Sequence, residues 1–138
     1  KEQVEEAATA YQDLINQFPE FYVGYNQLAW LYAKRGIKLD KAMGLAKKAN
    51  ELQPGNASIL DTIGWIHFHK NNYDQALVYL EKSLEVNPQN PTVLYHLGMT
   101  HQALDNTSQA RTYLEKALSI SDQFKGADKA KNLLNSSL

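Results

Sequence analysis

Residues 57–90 read ASILDTIGWIHFHKNNYDQALVYLEKSLEVNPQN, and a similar unit stands on either side of them. At offsets of 34 or 35 residues, an apolar residue followed by a small one recurs as Leu28-Ala29, Ile63-Gly64 and Leu97-Gly98. Equivalent small residues follow in each unit at Ala42, Ala76 and Ala110, and then at Ala49, Ser83 and Ala117. A short unit copied in tandem is typical of a solenoid, in which each unit packs on its neighbours.

Each unit is predicted to form two antiparallel helices. In residues 57–90, apolar residues at helical spacing run to Phe68, Asn71-Asn72 interrupts them, and a second amphipathic run ends at Asn87-Pro88. Small residues on both helices would allow a close approach. We therefore expect Gly64→Leu to overpack this contact and to lower the free energy of unfolding by about 1–3 kcal/mol.

Asparagine precedes several of the predicted helices. Asn56, Asn90 and Asn106 stand where an N-cap would accept hydrogen bonds from free backbone amides. The three residues are therefore predicted to cap the helices that follow them.

The repeat pattern divides the chain, residues 1–138, into one domain of about eight helices. We expect an all-α, right-handed solenoid consisting of a half repeat (1–21), three full repeats (22–56, 57–90, 91–124) and a C-terminal capping helix (125–138). The chain begins at Lys1 within a helical pattern and without Met, which predicts that it is a piece of a longer protein.

Composition restricts the classes of function. The net charge of −1 argues against nucleic acid, which requires a basic face to displace counterions. No apolar run approaches the roughly 20 residues of a membrane span, so we expect a soluble chain. Cysteine is absent, which removes disulfides and thiolate metal sites and leaves the choice between cytoplasm and periplasm open.

These residues resemble the tetratricopeptide repeat, a helix-turn-helix unit of 34 residues. The departures are mild: Leu80 and Leu114 replace an aromatic residue, His67 and His101 replace tyrosine, and Asp122 replaces proline. The resemblance implies a protein-binding scaffold. Residues 60–65 together with Phe124 are further similar to the C-terminal ends of long bacterial arrays found beside export machinery in the cell envelope.

In that family the first helix of each unit lines a concave groove. Trp30, Trp65 and Met99 occupy equivalent places there and are expected to form an exposed ladder. The alternative is that each tryptophan fills the angle between units and binds nothing. The candidate partner-binding residues are Asn26, Trp30, Lys34, Asp61, Trp65, Phe68, His69, Tyr95, His96 and Met99. Family members that bind acidic C-termini use Lys, Asn and Arg as a carboxylate clamp, whereas the corresponding places here hold Asn26, Trp30, Thr62, Thr92 and His96. We therefore expect no such clamp, and aromatic area in the groove without concentrated positive charge.

The four histidines do not form a recognisable metal motif. His67 and His69 are two residues apart on one helix, whereas a chelating pair requires a spacing of four. The chain also contains no nucleophile motif and no glycine-rich phosphate loop. We expect neither enzyme activity, nor a metal site, nor a cofactor. His69 and His96 are predicted to face the groove and to make partner binding sensitive to pH.

Two functions therefore remain open. The first is a non-catalytic scaffold that binds a peptide or helix of a partner protein in the groove. The second is a structural spacer or a self-association segment of a longer array, because Val4, Tyr11 and Leu14 of the half repeat lack a covering helix.

Overall fold

The computed structural model describes residues 2–136, which form eight helices and no strand. The helices are α1 (Glu2–Gln17), α2 (Tyr22–Arg35), α3 (Leu39–Leu52), α4 (Ala57–His69), α5 (Tyr73–Val86), α6 (Pro91–Ala103), α7 (Thr107–Ile120) and α8 (Ala127–Ser136). The prediction of an all-α solenoid is confirmed. No helix in this part of the chain is long and apolar enough to span a membrane.

Each helix packs on the next, and α2, α4 and α6 also contact one another in turn. We call the surface formed by α2, α4 and α6 the inner face. The pairs α2–α3, α4–α5 and α6–α7 lie in the ranges predicted for the first, second and third repeats. α1 lies in the range of the half repeat and α8 in that of the cap, whose last two residues, like residue 1, lie outside the described part.

The hydrophobic core extends through every repeat. Its largest cluster of buried side chains reaches from Ile15 on α1 to Ala130 on α8. The close approach predicted within each pair is confirmed for the second and third pairs, because a Cβ atom at Gly64 would lie 2.7 Å from Leu80 Cγ. At Gly98 the same distance to Leu114 Cγ is 2.7 Å.

The turns inside the three repeats share one hydrogen bond. The amides of Ile37, Asn72 and Asn106 donate to the carbonyls five residues earlier, at distances of 2.9–3.0 Å. The residue before each amide has a positive φ, which glycine, asparagine and aspartate tolerate best; these residues are Gly36, Asn71 and Asp105. The first repeat has one additional residue in its turn, where Lys38 also adopts a positive φ of 47°.

Two of the three predicted N-caps are confirmed. Asn56 Oδ1 accepts from the amides of Ser58 and Ile59, and Asn90 Oδ1 accepts from those of Thr92 and Val93. The prediction was wrong for the side chain of Asn106, which makes no cap hydrogen bond. Its Nδ2 lies 3.3 Å from Nδ1 of His101, so this amide contacts the preceding helix instead.

Candidate functional site

Trp65 lies inside a stack of rings on the inner face. Its indole is sandwiched between Phe68, at 4.2 Å between ring centroids, and His96 of the next repeat, at 3.9 Å. Only 7% of Trp65 and 6% of Met99 is exposed. The expectation of an exposed ladder was therefore wrong for these two residues, because both side chains belong to the buried hydrophobic core.

Trp30 differs from Trp65 in its surroundings. It is half-buried, and its ring lies 5.6 Å from that of His96, between ring centroids. Because part of its indole remains at the surface, Trp30 is the more exposed of the two tryptophans in the predicted ladder.

Polar residues of the inner face bond to one another across repeats. His96 Nδ1 lies 2.7 Å from Asp61 Oδ1, and both residues are buried. Asn26 Nδ2 donates to Ser58 Oγ over 3.0 Å, again between two repeats. Asp61, His96 and Asn26 thus contribute to the packing of one repeat on the next, since buried polar groups need such partners.

A cleft of about 190 Å³ opens on the inner face between the first repeat and the cap. Five of the ten predicted groove residues line it, namely Trp30, Lys34, Trp65, Tyr95 and His96. Thr92, Lys125, Gly126 and Lys129 complete the lining. The remaining predicted residues, Asn26, Asp61, Phe68, His69 and Met99, do not line the cleft. Except for Phe68 and His69, which are half-buried, they are buried.

The segment that leads into α8 contacts the inner face. The Phe124 ring lies 5.8 Å from the Tyr95 ring, and a Cβ atom at Gly126 would come within 2.6 Å of Tyr95 Cε2. Gly126 also has a φ of 105°, where a side chain is strained. Only glycine allows the chain to approach the tyrosine this closely, and that approach brings Lys125 and Lys129 to the cleft.

The cleft is consequently cationic at its rim. Lys34 comes from α2, whereas Lys125 and Lys129 come from the cap. The expectation of a groove without concentrated positive charge was therefore wrong. In the sequence, the only indication of these cap lysines is the Lys125-Gly126 pair next to Phe124. No repeat pattern extends to this segment, so the sequence does not indicate which face of the solenoid it contacts.

Two side chains near the cleft have perturbed pKa values. Burial, followed by electrostatic interactions with His96 and Lys129, lowers the pKa of His69. His69 Nε2 is buried and has no hydrogen-bond partner among the described residues. Burial raises the pKa of Tyr95. Histidine and acidic residues form no group of three that could hold a metal within residues 2–136.

Comparison with known families agrees with this architecture. A family model of the tetratricopeptide repeat matches residues 67–134, and a second model of the same repeat matches residues 1–20. Together they cover more than half of the chain. The chain belongs to the tetratricopeptide repeat family, whose fold is that of protein-interaction scaffolds.

Several solved structures share the fold. TTC0263, a thermophilic tetratricopeptide repeat protein of Thermus thermophilus, superposes with a TM-score of 0.82 at 19% identity, covering 96% of this chain and 74% of that one. The crystal structure of MamA gives a TM-score of 0.72 at 21% identity, covering 96% and 81%. MamA from Desulfovibrio magneticus RS-1 gives a TM-score of 0.72 at 14% identity, and the match covers 86% of this chain and 66% of that one. No curated protein matches the chain significantly.

Proposed function

We propose that this chain is a non-catalytic scaffold that binds a peptide or helix of a partner protein at the cleft of the inner face. The supporting observation is the meeting of Trp30, Trp65 and Tyr95 at an opening to solvent. Aromatic side chains of this face that do not line the cleft are used in packing, as Phe68 stacked on the indole of Trp65 illustrates. Large aromatic residues in a preformed depression are the usual anchors of protein recognition.

The ten predicted residues divide into two groups in this proposal. Those that line the cleft would touch the partner, and these are Trp30, Lys34, Trp65, Tyr95 and His96. Some of the others hold the first group in place. Asp61, for example, fixes the ring of His96, and Phe68 supports the indole of Trp65.

Filling the cleft tests this proposal without removing core side chains. Thr92 is half-buried on the first turn of α6 and lines the cleft, whereas Thr107 is exposed on the first turn of α7 and does not line it. Short peptides selected from a random library with the native chain would be titrated against Thr92→Trp and against Thr107→Trp as its matched control. We expect Thr92→Trp to weaken binding by about tenfold or more and the control to bind normally.

Helicity measured by circular dichroism must be equal in all three proteins. Should Thr92→Trp fail to fold, Trp30→Ala would replace it. Selected peptides that bind the native chain and both tryptophan variants equally would place recognition elsewhere. The absence of any enriched peptide would also contradict the proposal.

A second function is favoured by one observation on α1. Ala7, Tyr11 and Leu14 occupy the positions of Ala76, Leu80 and Ser83 in the second repeat. The three residues of the second repeat are fully buried beneath its first helix, whereas those of α1 are only half-buried. This face could join a second copy of the chain or a further repeat of an array.

Light scattering at increasing protein concentration tests self-association. A mass that rises with concentration, and that falls again in Tyr11→Lys, would support pairing through α1. A monomer mass at every concentration would contradict pairing of two copies.

A further inference from the structure

The cap contributes to the cleft as well as covering the end of the solenoid. α8 packs on α7 and buries Ala127 and Ala130. Covering the last repeat requires no contact with the first one. Even so, Lys125 and Lys129 share a cleft with Trp30 and Lys34 of α2, because Gly126 lies directly against Tyr95.

The charges around the cleft have one sign. Three lysines line it, and no aspartate or glutamate stands among the described residues that do so. The carboxylate of Asp61, which does not line the cleft, is buried and lies 2.7 Å from His96 Nδ1. The positive charge of Lys129 also contributes to lowering the pKa of His69. This concentration of positive charge occurs on a chain whose net charge is −1.

The size and walls of the cleft restrict what can enter. A volume of about 190 Å³ holds one ring-sized group, since an apolar cavity of roughly 150 Å³ admits benzene. Trp30, Trp65 and Tyr95 supply aromatic walls. Since Phe68 and His96 already cover the faces of Trp65, another ring would pack on Trp30 and meet Trp65 only at its edge. Lysine ammonium groups at the rim would attract carboxylates on either side of that ring.

We propose that the cleft recognises an acidic segment of a partner protein, in which an aromatic side chain enters between Trp30, Trp65 and Tyr95 while flanking carboxylates pair with Lys34, Lys125 and Lys129. This inference rests on the proposed function and specifies the chemistry of the partner. The cap is accordingly part of the binding site.

Synthetic peptides provide a direct test. The probes are acetyl-Gly-Asp-Phe-Asp-Gly-amide, its neutral counterpart with asparagine in place of aspartate, and an acidic counterpart with glycine in place of phenylalanine. Binding would be followed by NMR at the amide of Gly126 and the indole N–H groups of Trp30 and Trp65. We expect the first peptide to shift these resonances and to bind about tenfold more tightly than either counterpart.

Charge variants locate the effect. The double variant Lys125→Gln/Lys129→Gln should bind the acidic aromatic peptide about tenfold more weakly and the neutral peptide with unchanged affinity. It should also reduce the salt dependence of binding. Lys47→Gln/Lys116→Gln is the matched control. It removes the same charge from exposed positions on α3 and α7 and should bind as the native chain does.

The outcomes separate this inference from the proposed function. Equal affinity for the acidic and neutral aromatic peptides would overturn the proposed preference of the cleft for acidic segments. An equal loss of affinity in the two double variants would overturn it as well. If Thr92→Trp still blocked the peptides selected from a library, the binding function would stand. Inorganic phosphate that shifted the same resonances as strongly as the acidic aromatic peptide would show an anion site without aromatic recognition and would also overturn the inference.

Discussion

The first repeat and the two that follow distribute side-chain volume differently at the contact between their helices. In the second and third repeats the first helix carries glycine and the second carries leucine, as Gly64 with Leu80 and Gly98 with Leu114. In the first repeat both places hold alanine, Ala29 and Ala46, and neither is exposed. Glycine with leucine places four side-chain carbons at this contact and alanine with alanine two, so the size tolerated on the first helix depends on the residue that faces it.

The largest effect is expected when volume is added to the filled contact. The first atom of a new side chain at Gly64 would already lie 2.7 Å from Leu80 Cγ. Gly64→Leu should therefore lower the free energy of unfolding by about 3 kcal/mol, measured by urea denaturation.

An exposed glycine in another helix provides the control for this change. A Cβ atom at Gly44 on α3 would meet no atom within 4 Å. Gly44→Leu should thus be neutral or should stabilise the protein by up to about 1 kcal/mol through helix propensity. A loss of stability similar to that of Gly64→Leu would show that steric crowding is not the cause.

The second prediction converts the second repeat into the arrangement of the first. Gly64→Ala alone should destabilise the protein, because its methyl group would meet Leu80. In a Leu80→Ala background the same change should stabilise it, since space is then available and alanine favours the helix. We expect a coupling energy of about 2 kcal/mol in a double-mutant cycle by urea denaturation. Additive changes would refute the steric coupling of the two positions.

The same contact shows why much of the fold was predictable. The period of 34 or 35 residues aligns Gly64 with Gly98 and thereby identifies the helices and their closest contact. Local signals also identified the caps at Asn56 and Asn90. The failure at Asn106 arose because its side chain lies beside His101 on the neighbouring helix, a contact that local sequence does not encode.

The candidate site was predictable only in part. Helical spacing indicates the direction in which Trp65 points, but its burial depends on how closely His96 of the next repeat approaches. Lys125 and Lys129 lie where the repeat pattern has ended, so no equivalent positions indicate their place. Their contribution depends on the contact between Gly126 and Tyr95, which forms only in the folded chain.

The repeats also differ at the place occupied by Tyr32, where the second and third carry His67 and His101. Burial lowers the pKa of both histidines; nearby lysines lower that of His67 further, whereas Glu81 opposes the effect at His101. Because the unfolded chain then binds protons more readily, stability should fall as the pH drops through about 6.5 and below. The melting temperature measured between about pH 7.5 and 5.5 should fall less in His67→Tyr/His101→Tyr than in the native chain. Equal slopes would contradict this assignment.

The smallest effect is expected at Ser83, whose equivalents in the first and third repeats are Ala49 and Ala117. All three residues are fully buried, and Ser83 Oγ donates to the carbonyl of Ala57 over 2.8 Å. Ser83→Ala leaves no donor without a partner, and the carbonyl belongs to the first turn of α4, where backbone bonding can still satisfy it. The free energy of unfolding measured by urea denaturation should therefore fall by less than about 1 kcal/mol. A loss above about 2 kcal/mol would instead mean that this hydroxyl group fixes the position of α5 beneath α4, and that the repeats are less interchangeable than their packing suggests.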